Sequence, residues 1–590
     1  MPGRSAGRNL ARISLGRSYT ESMPRLSRTL AVTLVAGGGF LLACGHLPFE
    51  DIPDTGDGGG PEAGALADGP VGDETSSGFD GGVDAKVDAK VDAADGGCAG
   101  PSCVGTFVSS AVGDDANPGT SSKPVKTITK AIAIAVALGG TQSVYVAASH
   151  YPEKITLSEG VDLLGGYDCS ALSCTWARDL TANDTAILDQ DFEGVLTPKT
   201  ITRKTLFDGF RVAGKAGVPT TATGSAAMSL VGGSPTVTHC KLAGGDVTGS
   251  TSNARSIGLA ISGPSSVAAG ALVDQNSIGG GTSTDQSIGV HLLGASALGG
   301  GAPVAVVTSN RIRGGVAANS VGVLAWASAT GTLLERNDIA PGTSTAAGAS
   351  WGIVVQSTMT IDSNRINADV GLAATCPQGA GVNFCGGIFS QGSTTTIVNN
   401  VVLGGSGPKT CAVLLADGEV GVGAVILNGN TLDGAGNSGG DGTVSTAVAL
   451  HINAGTSAAL GKVRNNILLG GLNKNRYGVY EDSSPGKTVR SVALDNNDFW
   501  NAGAARNDFA YRVWTSNGAT DLTFAQLAQI PSPVPTANVS VDPLVTGSYH
   551  IPQNSPVVDK GTATEAPSKD IDGDSRPKGA AVDIGADEAK

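Results

Sequence analysis

The sequence predicts an all-β fold, a solenoid of stacked parallel β-coils with a short capping helix toward its amino-terminal end. Three observations predict it. A four-residue turn recurs nine times between residues 240 and 499, at spacings of 27 to 36 residues. Eight of the nine copies carry asparagine at one position, namely Asn276, Asn310, Asn337, Asn364, Asn400, Asn430, Asn466 and Asn497, with Cys240 in the first copy. Three residues before that position the side chain is apolar in all nine copies, from Val237 and Val273 to Val463 and Leu494.

A repeat of this length cannot bury its own apolar face and must stack on its neighbours. Around each turn, apolar and polar residues alternate, as in Val307-Thr308-Ser309-Asn310-Arg311-Ile312, which is the period of a strand. A second Val- and Ile-rich strand precedes each turn, for example Ser287-Ile288-Gly289-Val290-His291-Leu292 and Ser320-Val321-Gly322-Val323-Leu324. Without helical crossovers, such strands pair in parallel from coil to coil. Stacked coils bring successive asparagines to about 4.8 Å of one another. Each amide then donates to one neighbour and accepts from the other, which satisfies it without water. Asparagine also tolerates the left-handed backbone that such a turn needs, and the ladder position is expected to adopt it.

The array resembles the right-handed parallel β-helix of the pectin-lyase-like superfamily, whose inward asparagine ladder fills the short turn between two sheets. The resemblance covers residues 104 to 590 and implies the fold; that fold hosts lyases, hydrolases, adhesins and inert spikes, so activity rests on the site. The stretch from Gly113 through Thr127-Ile128-Thr129-Lys130-Ala131 to Gly165-Gly166-Tyr167 resembles the amino-terminal segment of a family of uncharacterised bacterial surface β-helix proteins. The carboxy-terminal series Val541-Asp542-Pro543-Leu544, Asp570-Ile571-Asp572-Gly573-Asp574 and Asp583-Ile584-Gly585-Ala586 resembles the closing segment of many secreted bacterial β-helix proteins.

Five regions follow. Residues 1–44 are a signal segment, with Met23 the expected true start: Arg25 and Arg28 precede an apolar stretch, Leu30 to Leu42, too short for a stable membrane span. Its end, Leu41-Leu42-Ala43-Cys44, resembles a bacterial lipobox, which implies acylation of Cys44; ordinary cleavage to a soluble product is the plainer alternative. Residues 45–97 form an acidic Gly/Asp/Ala-rich tether. Positions 51 to 97 hold twelve acidic and two basic residues, ten of the net charge of −14, and too little apolar surface to offset ordering entropy. Residues 98–210 comprise the amino-terminal cap and first coils, 211–505 the ladder coils and 506–590 the carboxy-terminal cap. In the first cap, Ile128, Ala131, Ile132, Ala135 and Leu138 recur at helical spacing, and this helix is expected to plug the open core. At the other end Asp521 is expected to cap a helix running through Gln529.

No basic cluster with interleaved aromatics exists, so nucleic acid is excluded as a partner. Eight cysteines remain beyond Cys44, and three close pairs suit disulfides in an exported chain: Cys98 with Cys103, Cys169 with Cys174, and Cys376 with Cys385. Cys240 and Cys411 are left over.

Candidate chemistry lies in the column two residues before the ladder, which should face outward: Thr238, Asp274, Thr308, Glu335, Asp362, Val398, Asn428, Arg464 and Asp495. Glu335 and Asp362 fall on adjacent coils, flanked by Arg311, Arg336 and Arg365. Two carboxylates at that spacing bind calcium or divide acid and nucleophile roles in glycoside hydrolysis, and a nearby arginine serves a lyase. The plainer reading is a solvated ladder of mixed charge. Asp114 and Asp115 are weak calcium candidates in a turn-rich loop; Asp570, Asp572 and Asp574 only superficially resemble a calcium loop. His239, His291 and His451 have no evident carboxylate partner and are expected to pack. No cofactor is expected, calcium aside.

The expected protein is a monomeric, exported lipoprotein, anchored in the cell envelope at the outer membrane or cell surface. Its expected role is non-catalytic binding of a polysaccharide or another cell-surface ligand, with a polysaccharide lyase or glycoside hydrolase as the alternative.

Overall fold

The computed structural model describes residues 104–589 apart from internal stretches, the longest of which are 294–303, 369–384, 417–424, 437–444 and 483–490. Cys44, Cys98, Cys103, Cys376, the signal segment and the tether lie outside the described residues.

Three sheets of 14, 12 and 13 strands run along a stack of coils. One coil illustrates the rest. Ala305–Thr308 lies in the first sheet, Arg311–Arg313 in the second and Asn319–Trp326 in the third, before Thr332–Glu335 starts the next coil in the first sheet. Each strand pairs in parallel with its counterpart one coil on, with Val307 beside Leu334, Ile312 beside Ile339 and Val323 beside Ile353. This register makes columns of like side chains. The inward columns, including Val307, Ile312, Val323 and Leu334, have no exposed surface and form one continuous core. Burial of that kind contributes roughly 1.5–3 kcal/mol per large aliphatic side chain, which drives the stacking.

A second polar column stitches the bends between the second and third sheets. Ser256, Ser287, Ser320 and Ser350 stand in register. The Ser320 hydroxyl donates to Gly315 O in its own coil at 2.8 Å and accepts from Gly342 N of the next coil at 2.8 Å. Side chains are excluded at the glycine that follows two residues later. A Cβ on Gly322 would meet Gly352 O at 2.6 Å.

The first coils are closed by the helix Ile128–Ala137, whose Ile128, Ala131, Ile132 and Ala135 are buried against the core. Thr127 caps it, and the Glu153 carboxylate accepts from Ile128 N and Thr129 N at 2.8 and 2.9 Å. Leu138, expected on the buried stripe, is instead the C-cap and 60% exposed, because the helix ends before the turn that would carry it inward.

The carboxy-terminal region is two structures rather than one cap. Asn507–Thr515 and Gly518–Leu522 form an antiparallel pair, followed by the 3-10 helix Phe524–Gln529, and Leu522, Leu527 and Ile530 join the core. The helix is capped by Thr523 through a capping box with Gln526; Asp521, expected in that role, instead pairs with Arg512. From Thr536 the chain turns back along the outside of the ladder turns. This strap meets Asn496 through Lys560, Asn465 through Thr562, Asn428 through Glu565 and Ser363 through Asp570. Ile551, Val557 and Ile584 pack on Ile467, and Ile571 and Ala586 pack on Val401.

Candidate functional site

Each ladder asparagine donates from Nδ2 to the Oδ1 of the next, at 2.9–3.1 Å from Asn276 to Asn497. Each also donates to a carbonyl of the preceding coil, as Asn364 does to Leu334 O at 2.9 Å. The chain of amides extends one residue further than the repeat shows: Asn497 donates to Asn538 at 3.0 Å. Asn538 opens the strap, where the pattern of two flanking strands has ended. The left-handed backbone falls one residue before the ladder position, at His239, Gln275, Ser309, Arg336, Ser363, Asn399, Asn465 and Asn496, with φ between 49° and 55°. The expectation that the ladder asparagine itself takes this conformation is therefore corrected. The bend is made just before it, so its side chain turns inward from ordinary backbone.

The column expected to face solvent is nowhere fully exposed. Thr238, Val398 and Asn428 are buried and Asp274, Thr308, Glu335, Asp362, Arg464 and Asp495 are half-buried. Glu335 and Asp362 are register partners on adjacent coils. Glu335 faces Arg336 at 3.6 Å, while Asp362 accepts from Ser363 Oγ at 2.8 Å and Asn399 Nδ2 at 3.1 Å. Arg311 and Arg365 sit beyond the turn, in line with Asp338 in the second sheet. The strap takes Arg365 away from the two carboxylates, through Ser548 O at 2.9 Å and His550 Nε2 at 3.1 Å.

The strap itself builds a cluster that the sequence did not suggest, with Arg365 of the coils beside it. His550 Nδ1 lies 3.3 Å from Asp572 Oδ2 and 3.3 Å from Asp587 Oδ1. One ligand atom from each of the three falls within 4.8 Å of the others, and they open on a cleft of about 320 Å³ lined also by Ile551, Pro552 and Gln553. The second oxygen of Asp587 accepts from Ile551 N at 2.8 Å, and Asp587 is buried. Burial pushes the Asp587 carboxyl up, yet His550 and the Ile551 N–H outweigh it and hold it below the usual range; its carboxylate in turn raises His550. The remaining acidic residues of this segment are structural. Asp570 accepts from Asp572 N, Asp574 N and Glu588 N, and Asp574 pairs with Lys578, so the run does not form a calcium loop.

The other candidates resolve similarly. The Asp115 carboxylate accepts from Lys126 N, Thr127 N and Thr127 Oγ1, and Asp114 accepts from Ala116 N, so both fix the loop before the helix. His239 does have a carboxylate partner, contrary to expectation. Its Nδ1 lies 2.8 Å from Asp208 Oδ1, and Asp208 is also held by Thr238 at 2.9 Å and Arg178 at 2.5 Å. His291 and His451 are fully buried, and burial lowers both to about 3, so both rings are neutral. Cys169 and Cys174 form a disulfide, and Cys385 is disulfide-bonded. Cys240 and Cys411 are free and buried.

A family model described as "Protein of unknown function (DUF1565)" matches residues 111–180, the capping helix and first coils. No curated protein matches the sequence. Among solved structures the chain is similar to pectate lyase Pel9A, at 12% identity, covering 83% of this chain and 98% of that one, with a TM-score of 0.37. It is also similar to the tailspike protein gp49 of Acinetobacter baumannii bacteriophage Fri1, a capsular polysaccharide depolymerase, at 11% identity over 73% of this chain and 65% of that one, TM-score 0.34. The catalytic unit of a GH87 α-1,3-glucanase from Streptomyces thermodiastaticus strain HF3-3 is similar at 13% identity, over 70% and 69%, TM-score 0.33. These are likenesses of coil architecture and assign no activity.

Proposed function

We propose that this chain is a surface-anchored β-helix lipoprotein that presents its coils to glycans or other cell-surface partners without catalysing a reaction on them. The observation that carries this reading is the strap. It lies across the turns from Asn496 back to Ser363, with Glu565 bonded to Lys462 and Arg464, and so occupies the face where an acidic groove at Glu335 and Asp362 would need to extend. The anchor rests on Leu41-Leu42-Ala43-Cys44 and the tether of residues 45–97, which together suit a domain held off an outer membrane.

The second reading, a polysaccharide lyase or glycoside hydrolase, is favoured by one feature: the open cleft at His550, Asp572 and Asp587 with Arg365 beside it. One experiment separates them. The purified chain is incubated with acidic and neutral polysaccharides, and retention on each polysaccharide is measured alongside release of new reducing ends. Retention without release supports the binding reading. Release that disappears in E335A/D362A or in H550A overturns it and locates the catalytic site.

A further inference from the structure

We infer that His550, Asp572 and Asp587 form a binding site for one divalent transition-metal ion, and that the ion staples the carboxy-terminal strap. The inference goes beyond the proposed binding role and does not depend on it.

Geometry carries the argument. An imidazole N–H bonded to a carboxylate normally sits about 2.9–3.0 Å from it. Here Nδ1 stands 3.3 Å from two carboxylates at once, near neither's optimum. Atoms about 3.0–3.4 Å apart are instead what surrounds an ion held at about 2.1 Å by nitrogen and oxygen. The three groups are also presented for it. Asp587 is oriented by the Ile551 N–H on its other oxygen, the outer-shell bond that fixes ligating carboxylates. Asp572 projects from a turn in which the Asp570 carboxylate accepts from the backbone N–H of Asp572 and of Asp574. The cleft leaves room for water to complete the coordination. One imidazole and two carboxylates suit zinc, manganese or cobalt better than calcium, which takes oxygen ligands throughout.

Arg365 explains how the site stays intact without the ion. Arginine only donates, so its contact with Nε2 at 3.1 Å places the ring proton on Nδ1. Coordination through Nδ1 moves that proton to Nε2, which turns Arg365 off the ring while its bond to Ser548 O at 2.9 Å remains. The guanidinium is therefore a competitor for the cation, lying also 3.6 Å from Asp572.

The test is titration of the full, chelator-treated chain with Co²⁺, followed by visible absorption and calorimetry. One saturable equivalent is expected in the wild type, weakened at least 30-fold in H550A and in D572N. R365Q, which removes the competing guanidinium and keeps all three ligands, is expected to bind about tenfold tighter, a gain that a misfolded strap would not produce. Ca²⁺ at the same concentrations is expected not to compete. Absence of a saturable equivalent, or H550A and D572N curves that overlay the wild type, overturns the inference; so does binding that Ca²⁺ displaces.

Discussion

The Oδ1 of Asn400 lies 3.0 Å from Nδ2 and 2.9 Å from the backbone nitrogen of Asn364, so one side-chain oxygen satisfies two buried donors of the coil before it. Its own Nδ2 passes the pattern on to Asn430 at 3.1 Å and back to Ile361 O at 2.9 Å.

Removing that side chain leaves the buried Asn364 N–H without its side-chain acceptor and takes one bond from Asn364 Nδ2, which keeps Leu334 O, and it also strips the Asn400 amide's own bonds to Asn430 and Ile361 O. Asn400→Ala is expected to destabilise the chain by about 2–4 kcal/mol, since each buried group left unbonded costs about 1–3 kcal/mol. Because coils contact only their neighbours, hydrogen exchange should rise first in the coils on either side of residue 400. Uniform protection across the stack would contradict the ladder's role.

Asp498 sets a pH dependence. Burial raises its carboxyl to about 7, Asp542 adds to the shift, and its Oδ1 accepts from Val541 N at 3.0 Å. An acid raised in the folded state contributes stability below the ordinary carboxylate range, and this is lost as pH rises through about 7. Asp498→Asn is therefore expected to be more stable than the wild type at pH 8, by an amount on the order of a few kcal/mol, and similar near pH 4. Urea denaturation at the two pH values reads the difference.

The His239–Asp208 pair works in the opposite window on each side. The Asp208 carboxylate raises His239, whose stabilising contribution is complete below the ordinary histidine range and lost as pH rises through its folded value. Burial pushes Asp208 up, but His239 and Arg178 outweigh it and hold it low, so its contribution is lost on acidification. His239→Gln is expected to flatten the alkaline limb of the stability profile and to shrink the acid limb, which Arg178 alone then sustains.

His291 is buried between Ala260 and Leu324 on neighbouring strands, and among the described residues neither ring nitrogen has a hydrogen-bond partner. Replacing a buried, unbonded polar group by an apolar one of similar size removes its desolvation cost. His291→Leu is expected to raise the midpoint of thermal unfolding, by about 1 kcal/mol or more in stability terms. A fall would mean that the ring is bonded in solution.

Much of the fold was legible because stacking is periodic. Val237, Val273 and their successors repeat at one offset from the ladder, and a side chain that meets its own counterpart one coil on leaves that offset in the sequence. The His550 cluster was not legible, for the opposite reason. Asp570, Asp572 and Asp574 invite comparison as a run, yet Asp570 and Asp574 turn to backbone amides and Lys578, and the partners of Asp572 are His550 and Arg365. One signal was available. The asparagine doublets Asn399-Asn400, Asn465-Asn466 and Asn496-Asn497 fall in coils under the strap, and Asn465 and Asn496 bond to its backbone.

By itself, then, the sequence determined the coil, its register and its inward ladder, because each depends on contacts between equivalent positions of adjacent repeats. Only the tertiary structure decided what lies outside the ladder. The strap meets the coils through single, non-repeating contacts such as Asp570 with Ser363, 207 residues apart, and Ala586 with Thr431, 155 residues apart. A contact made once leaves no period, and its partners are found only when the chain has folded back on itself.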